Sequence, residues 1–300
     1  MSALAKLLRR LDLPRVNDWE FAGGAGIGSA TEAQRLFGGL VLAQAAVAAA
    51  RTVDGTHMHM HSMHALFLRP GQAKTPLRFV VSPIKQGRNY HARLVTALQP
   101  DRDGEQTVFQ MQASFGRFDA ANDPAHRAEH QDAMRAVPPP AAAKNRDVLR
   151  GRDPASMPIE VRMIDALEED RPSAPTTAIW IRANGTLPDD PVLRLATLVY
   201  ATDRAFLGTA WRPHAGKGRL AGASLDHSLW FHERIRFDDW LLFEMHSPAA
   251  RFERGLVFGG LYTPDGRRVA SASQEGSLAF QPNAPALRAS HAPSHPQGKE

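Results

Sequence analysis

Three hundred residues, with 43% apolar and 22% charged side chains, suffice for two modest cores or one duplicated unit and exclude a chain that is disordered or fibrous throughout. The absence of cysteine excludes disulfides, thiolate metal sites and a thiol nucleophile, and fits a reducing compartment. The formal net charge of +5 rests on scattered arginines rather than a basic block, which argues against a nucleic-acid partner and suits a small polyanion equally well.

In chain order, MSALAKLLRRLDLPR predicts a short amphipathic helix and lacks the features of a secretory signal. No apolar run reaches the roughly 18–20 residues of a membrane-spanning helix, so no stable membrane insertion is expected and the cytoplasm is the default location. Gly23, Gly24, Gly26 and Gly28 follow no strand and read as a loop rather than a phosphate cradle. GGLVLAQAAVAAARTV is apolar nearly all round, which predicts a helix buried on every side. In THMHMHSMH, strand alternation would put His57, His59 and His61 on one face at a spacing open to a metal. No carboxylate partner lies close in sequence, and these histidines are read as local hydrogen-bonding groups, with no metal.

Strand-like runs follow to residue 115, then a proline- and polar-rich stretch over 116–154 reads as a linker. A second unit spans 155–280, and residues 281–300 read as a flexible tail. The two units resemble each other. DDPVLRLATLVYATD is the second helix, with Asp189 or Asp190 as cap and Pro191 in the first turn. Each helix is followed by strands carrying a Ser-Pro break (Ser82-Pro83, Ser247-Pro248) and then a turn ending in glycine (Gly104, Gly266). A glutamine stands at the same offset after each glycine, Gln112 and Gln274. Three matches in one order imply duplication: two copies of a helix wrapped by an antiparallel sheet.

No G-x-S-x-G elbow, P-loop or G-x-G-x-x-G is present, which removes the usual hydrolase, nucleotide and dinucleotide signatures. The second unit is richer in candidates. Asp203 follows the second helix directly, where it opposes the helix dipole, and burial among Tyr200, Phe206 and Leu207 would raise its pKa. In ASLDHSLWFH, alternation assigns Ser224, Asp226, Ser228 and Trp230 to one face and Leu225, His227, Leu229 and Phe231 to the other. In VASASQEGSLAF, Gln274 shares a face with Ala270 and Ala272, where a buried amide needs partners. These residues support a site without naming its reaction.

Seven blocks carry a resemblance to a known family: FGGLVLAQA, MHALFLRPG, QGRNYHARLV, VFQMQASF, YATDRAFLGTA, ASLDHSLWFH and SQEGSL. In this order they resemble the acyl-CoA thioesterase II family, which includes bacterial enzymes and peroxisomal relatives. The resemblance implies an α+β double hotdog, an acyl-CoA substrate and no cofactor. It also implies a site of Asp203, Ser224 and Gln274 that activates water without a covalent intermediate. Donors at the first helix N-terminus, Gly38 and Gly39, are candidates for the oxyanion, and Arg88 and Asn89 for the CoA phosphates. One site per chain is expected, in the second unit, with Asp54 and Gln112 as relics in the first. By analogy with hotdog proteins, a homodimer or homotetramer is expected. The alternatives are a non-catalytic acyl-CoA or acyl-carrier binder, and a hotdog dehydratase, which needs a His/Asp pair not found here.

Overall fold

The computed structural model describes residues 1–23, 35–53, 57–118, 137–149, 151–164 and 171–281. Gly24, Gly26, Gly28, Asp54, residues 119–136 of the expected linker and the tail from 282 onward lie outside them. Helix α1 (Ala3–Leu11) opens the chain. The Ser2 hydroxyl caps it, accepting from the Ala5 N–H at 3.2 Å, and Leu4, Leu7 and Leu11 are buried. Strands β1 (Arg15–Asn17) and β2 (Glu20–Gly23) lead to α2 (Gly38–Ala50), in which every residue from Gly39 to Ala49 is buried. A helix with no polar face has no other stable position, and each buried Leu or Val contributes about 1.5–3 kcal/mol.

Strands β3 (Met58–Phe67), β4 (Leu77–Gln86), β5 (Tyr90–Asp101) and β6 (Gly104–Arg117) complete the first half. Next come β7 (Lys144–Asn145), α3 (Arg146–Leu149), β8 (Ile159–Met163) and β9 (Thr176–Ala183). Helix α4 (Pro191–Thr202) is followed by α5 (Phe206–Trp211) and β10 (Arg219–Leu220). The chain then forms β11 (Asp226–Phe231), β12 (Leu241–Arg251), β13 (Arg254–Tyr262), β14 (Arg268–Ser277) and β15 (Phe280–Gln281).

Among the described residues, thirteen strands form one antiparallel sheet in the order β1-β2-β4-β5-β6-β3-β11-β14-β13-β12-β9-β8-β7. Outward from the centre, β3-β6-β5-β4-β2-β1 is repeated by β11-β14-β13-β12-β9-β8. The duplication inferred from sequence is thus a pseudo-two-fold about the β3–β11 pair, where His64 faces Ser228. Helices α2 and α4 pack on each other inside the sheet, giving the double hotdog. Among the described residues, no helix is long and apolar enough to cross a membrane.

Four details differ from the sequence expectation. A strand does precede the glycine-rich stretch, since β2 runs into Gly23. The Ser-Pro pairs do not end their strands: β4 and β12 run through them, with pairing irregularities at Pro83/Lys85 and His246/Ala249. A bulge is where a sheet accommodates a residue without an N–H donor. Part of the expected linker joins the sheet, because Lys144 and Asn145 pair with Met163 and Arg162. Two paired residues are too few to show a period in sequence. Finally, Gln112 and Gln274 are not equivalent, since Gln112 is exposed while Gln274 is 1% exposed. The bulge in β6 lies at Val108, four residues after Gly104, whereas that in β14 lies at Val269, three after Gly266. One residue of offset reverses every later side chain.

Candidate active site

The site is assembled where the N-terminus of α2 meets the C-terminus of α4. Asp190 starts α4, its carboxylate accepting from the Val192 and Leu193 N–H groups at 2.8 and 3.2 Å, with Pro191 in the first turn. The helix runs for twelve residues and ends on Asp203. A carboxylate there faces the negative end of the helix dipole. The opposing influence is the N-terminus of α2, which has no side-chain cap and whose Gly39 N–H donates to Asp203. Small residues permit this approach. A Cβ on Gly38 would lie 2.9 Å from Asp203 Oδ2, and one on Gly39 would lie 2.8 Å from the Tyr200 carbonyl oxygen.

Ser224 Oγ donates to Asp203 Oδ1 at 3.3 Å, and Gln274 Nε2 donates to Ser224 Oγ at 2.9 Å. The structure therefore brings Asp203, Ser224 and Gln274 into one hydrogen-bonded chain from three separate segments. Asp203 is partly buried as a residue, yet its carboxylate is enclosed by the helix ends. Burial raises its pKa to about 7, against the lowering effects of the Gly39 and Ser224 hydrogen bonds and the Arg204 charge. A carboxylate poised near neutrality beside a hydroxyl and an amide can hold a water and take its proton.

The chain continues beyond the residues expected from sequence. Gln274 Oε1 lies 2.6 Å from His227 Nδ1, and His227 Nε2 lies 3.1 Å from Thr202 Oγ1. His227 and Thr202 are fully buried, and Phe206 of α5 packs edge-on against the imidazole with centroids 5.3 Å apart. Burial pushes the His227 pKa down to about 4, so the ring is neutral wherever Asp203 titrates.

Strand alternation placed Ser224 with Asp226 and opposite His227, and the structure corrects this. Regular β11 pairing begins after the isolated Ser224–Gly276 bridge, and the register shifts by one residue between that bridge and the Ser228–Ser273 pair. Ser224 and His227 consequently both reach the interior. Asp226 instead accepts from the Glu275 N–H at 2.7 Å, and Ser228 lies 3.1 Å from His64. The signal for His227 was its place on the apolar face with Leu229 and Phe231. The other histidines of β3 are dispersed by the irregularity at Met60/Ser62: His59 stacks on Phe118 and His61 packs edge-on against Tyr90.

Arg88 and Asn89 are not brought to the site. They occupy the exposed turn before Tyr90, which pairs with Gly116 and through it aligns with His59. The site adjoins Phe67 at the other end of β3, where the Phe67 N–H donates to the Leu225 carbonyl. Eight residues of strand separate His59 from Phe67, roughly 26 Å at the usual rise.

Two family descriptions match the chain: "Acyl-CoA thioesterase N-terminal domain" over residues 28–116 and "Acyl-CoA thioesterase" over residues 156–277. Acyl-coenzyme A thioesterase 8 of Mus musculus is 35% identical over 271 residues, covering 83% of this chain and 82% of the relative. The crystal structure of an acyl-CoA thioesterase II, TesB2, from Mycobacterium marinum superposes with a TM-score of 0.74 at 33% identity, over 92% of this chain and 98% of that one. A protein with a hot dog fold from Alicyclobacillus acidocaldarius has the same architecture at 18% identity, with a TM-score of 0.72 over 92% and 98% of the two chains.

Proposed function

The chain belongs to the acyl-CoA thioesterase family and is an acyl-CoA hydrolase, and we propose that it works through one water-activating site per chain, built on Asp203, Ser224 and Gln274. The observation that carries this reading is the continuous hydrogen-bonded chain from Gln274 through Ser224 to a carboxylate with a pKa near 7.

Asp203 takes a proton from a water held against Ser224 and Gln274. The water oxygen forms a bond to the thioester carbonyl carbon, and the carbonyl oxygen becomes an oxyanion. Collapse of that intermediate breaks the carbon–sulfur bond and releases free acid and CoA, whose thiolate recovers the proton. No acyl-enzyme is formed. The N-terminus of α2 supplies positive potential for the oxyanion. Gly39 already donates to Asp203, which leaves Gly38 as the proposed oxyanion donor. Residues 155–280 thus carry the catalytic side chains, while residues 1–115 contribute the α2 terminus.

The test is release of free thiol from acyl-CoAs of several chain lengths by wild type, Asp203→Asn and Gln274→Ala. Turnover that collapses in both folded variants supports the reading. Undiminished turnover in Asp203→Asn would exclude Asp203 as the base.

A further inference from the structure

Thr202 and His227 take no part in the mechanism above, yet they are the most enclosed polar groups around the site. Both side chains are fully buried, and both belong to one continuous series: Thr202 Oγ1, His227 Nε2, His227 Nδ1, Gln274 Oε1, Gln274 Nε2, Ser224 Oγ and Asp203 Oδ1. We propose that His227 is a positioning residue for hydrolysis: clamped between Thr202 and Gln274, it fixes the Gln274 amide with its NH2 group toward Ser224, so that the Ser224 proton points at Asp203. The inference rests on the reading of Asp203, Ser224 and Gln274 as the catalytic set.

The chemistry of the donors permits two directions through such a series. In one, Thr202 donates to Nε2, Nδ1–H donates to Gln274 Oε1, the amide donates to Ser224, and Ser224 donates to Asp203. In the other, every bond of the series is reversed: Nε2–H donates to Thr202, whose single proton then goes wholly to the Val199 carbonyl, 2.9 Å from it in the structure. Gln274 then turns its oxygen to Ser224 and accepts the hydrogen bond from its hydroxyl. Ser224 would present only lone pairs to Asp203, a contact that an ionised carboxylate repels. A working base must be ionised, so the first direction is the competent one, and it demands the Nδ1–H tautomer of His227. The edge-on Phe206 ring holds the imidazole in place.

The first half supplies an internal comparison. Rotation about the His64–Ser228 pair carries His227 onto Met63, and alignment of the Val108 and Val269 bulges carries Gln274 onto Ala113. Met63 and Ala113 are buried apolar residues. The histidine accompanies the glutamine in one half, and both are missing from the other.

The tautomer can be read directly from long-range ¹⁵N–¹H correlations of the imidazoles in the full-length protein, with His227 assigned by its loss in His227→Asn. A proton on Nδ1 is expected, and a proton on Nε2 would overturn the proposal. In thiol-release kinetics, His227→Phe is expected to lower kcat on the order of tenfold, with KM changed less than about twofold. His227→Asn, whose side-chain N–H can stand in for Nδ1–H, is expected to recover most of that loss. In a Gln274→Ala background, His227→Phe is expected to add nothing, because the group it positions is gone. An additive loss, or an Asn variant as impaired as the Phe variant, would show a merely structural role. If His227→Phe does not fold, the wild-type tautomer and turnover of His227→Asn still decide, the latter falling as far as Gln274→Ala only if the proposal is wrong. Wild-type turnover in Gln274→Ala would overturn the catalytic set and the relay together. A collapsed Gln274→Ala beside an unimpaired His227→Phe would overturn the relay alone.

Discussion

At the C-terminus of α2 the first half of the molecule places a cation, while at the C-terminus of α4 the second half places a carboxylate. Arg93, fully buried, reaches the end of α2 and donates to the Thr52 carbonyl at 3.1 Å, to Thr52 Oγ1 at 3.0 Å and to the Lys85 carbonyl at 3.0 Å. A cation there is favoured by the helix dipole. Its cross-strand neighbour in the sheet is Ala113, and the corresponding pair in the second half is Val257 and Gln274. Where one half has Arg93 and Ala113, the other has Val257 and Gln274, with Asp203 at the helix end. The first arrangement stabilises a helix. The second holds a carboxylate out of water, which destabilises the fold somewhat but places its pKa near 7.

The sharpest way to break this contrast is Asp203→Asn. Thiol release should fall about 10²–10⁴-fold, as for loss of a general base. Because the base acts unprotonated, wild-type kcat/KM should rise with pH through about 7, and the residual rate of the variant should lack that limb. Stability should move the other way. Below the ordinary 3.8 both folded and unfolded states carry the proton. Between there and about 7 the folded state retains a proton that the unfolded state releases, so this group weakens the fold as pH rises. Denaturant unfolding of the Asn variant should therefore gain on wild type between pH 4 and 7 and level off above.

Arg93→Ala is the counterpart in the first half, with the effects exchanged. Losing a buried cation with several carbonyl partners should lower unfolding free energy by about 3 kcal/mol or more, measured in urea, with no comparable fall in kcat for the molecules that remain folded. A collapse of kcat at unchanged stability would contradict the division of roles between the halves. Gly38→Ala should have an intermediate effect. The new methyl group would displace Asp203 Oδ2 or Phe67, and a shift of this size should reduce kcat by roughly tenfold to a hundredfold. Asp190→Ala should do least. It removes the α4 cap, lowers stability by about 1 kcal/mol in thermal or chemical melts, and leaves the pH profile in place.

Much of the architecture was legible because it follows from short-range pattern. The apolar segment at 38–50 had no polar face to show to water, and the Asp190-Pro191 start marked α4. The turn glycines Gly104 and Gly266 both adopt positive φ, 126° and 89°, where a side chain is disfavoured. That Asp203, Ser224 and Gln274 come together was legible through resemblance, and chain periodicity alone misplaced Ser224.

What sequence by itself determined was therefore the duplication, the buried helices and the identity of the polar residues in the second half. Tertiary structure decided which of them meet. One residue of difference in bulge position turns Gln112 outward and Gln274 inward, and one residue of register shift brings Ser224 to the same interior as His227. Strand side chains alternate with period two, so a single-residue irregularity changes every face that follows. Whether such an irregularity forms is set by pairing with a neighbour far away in sequence.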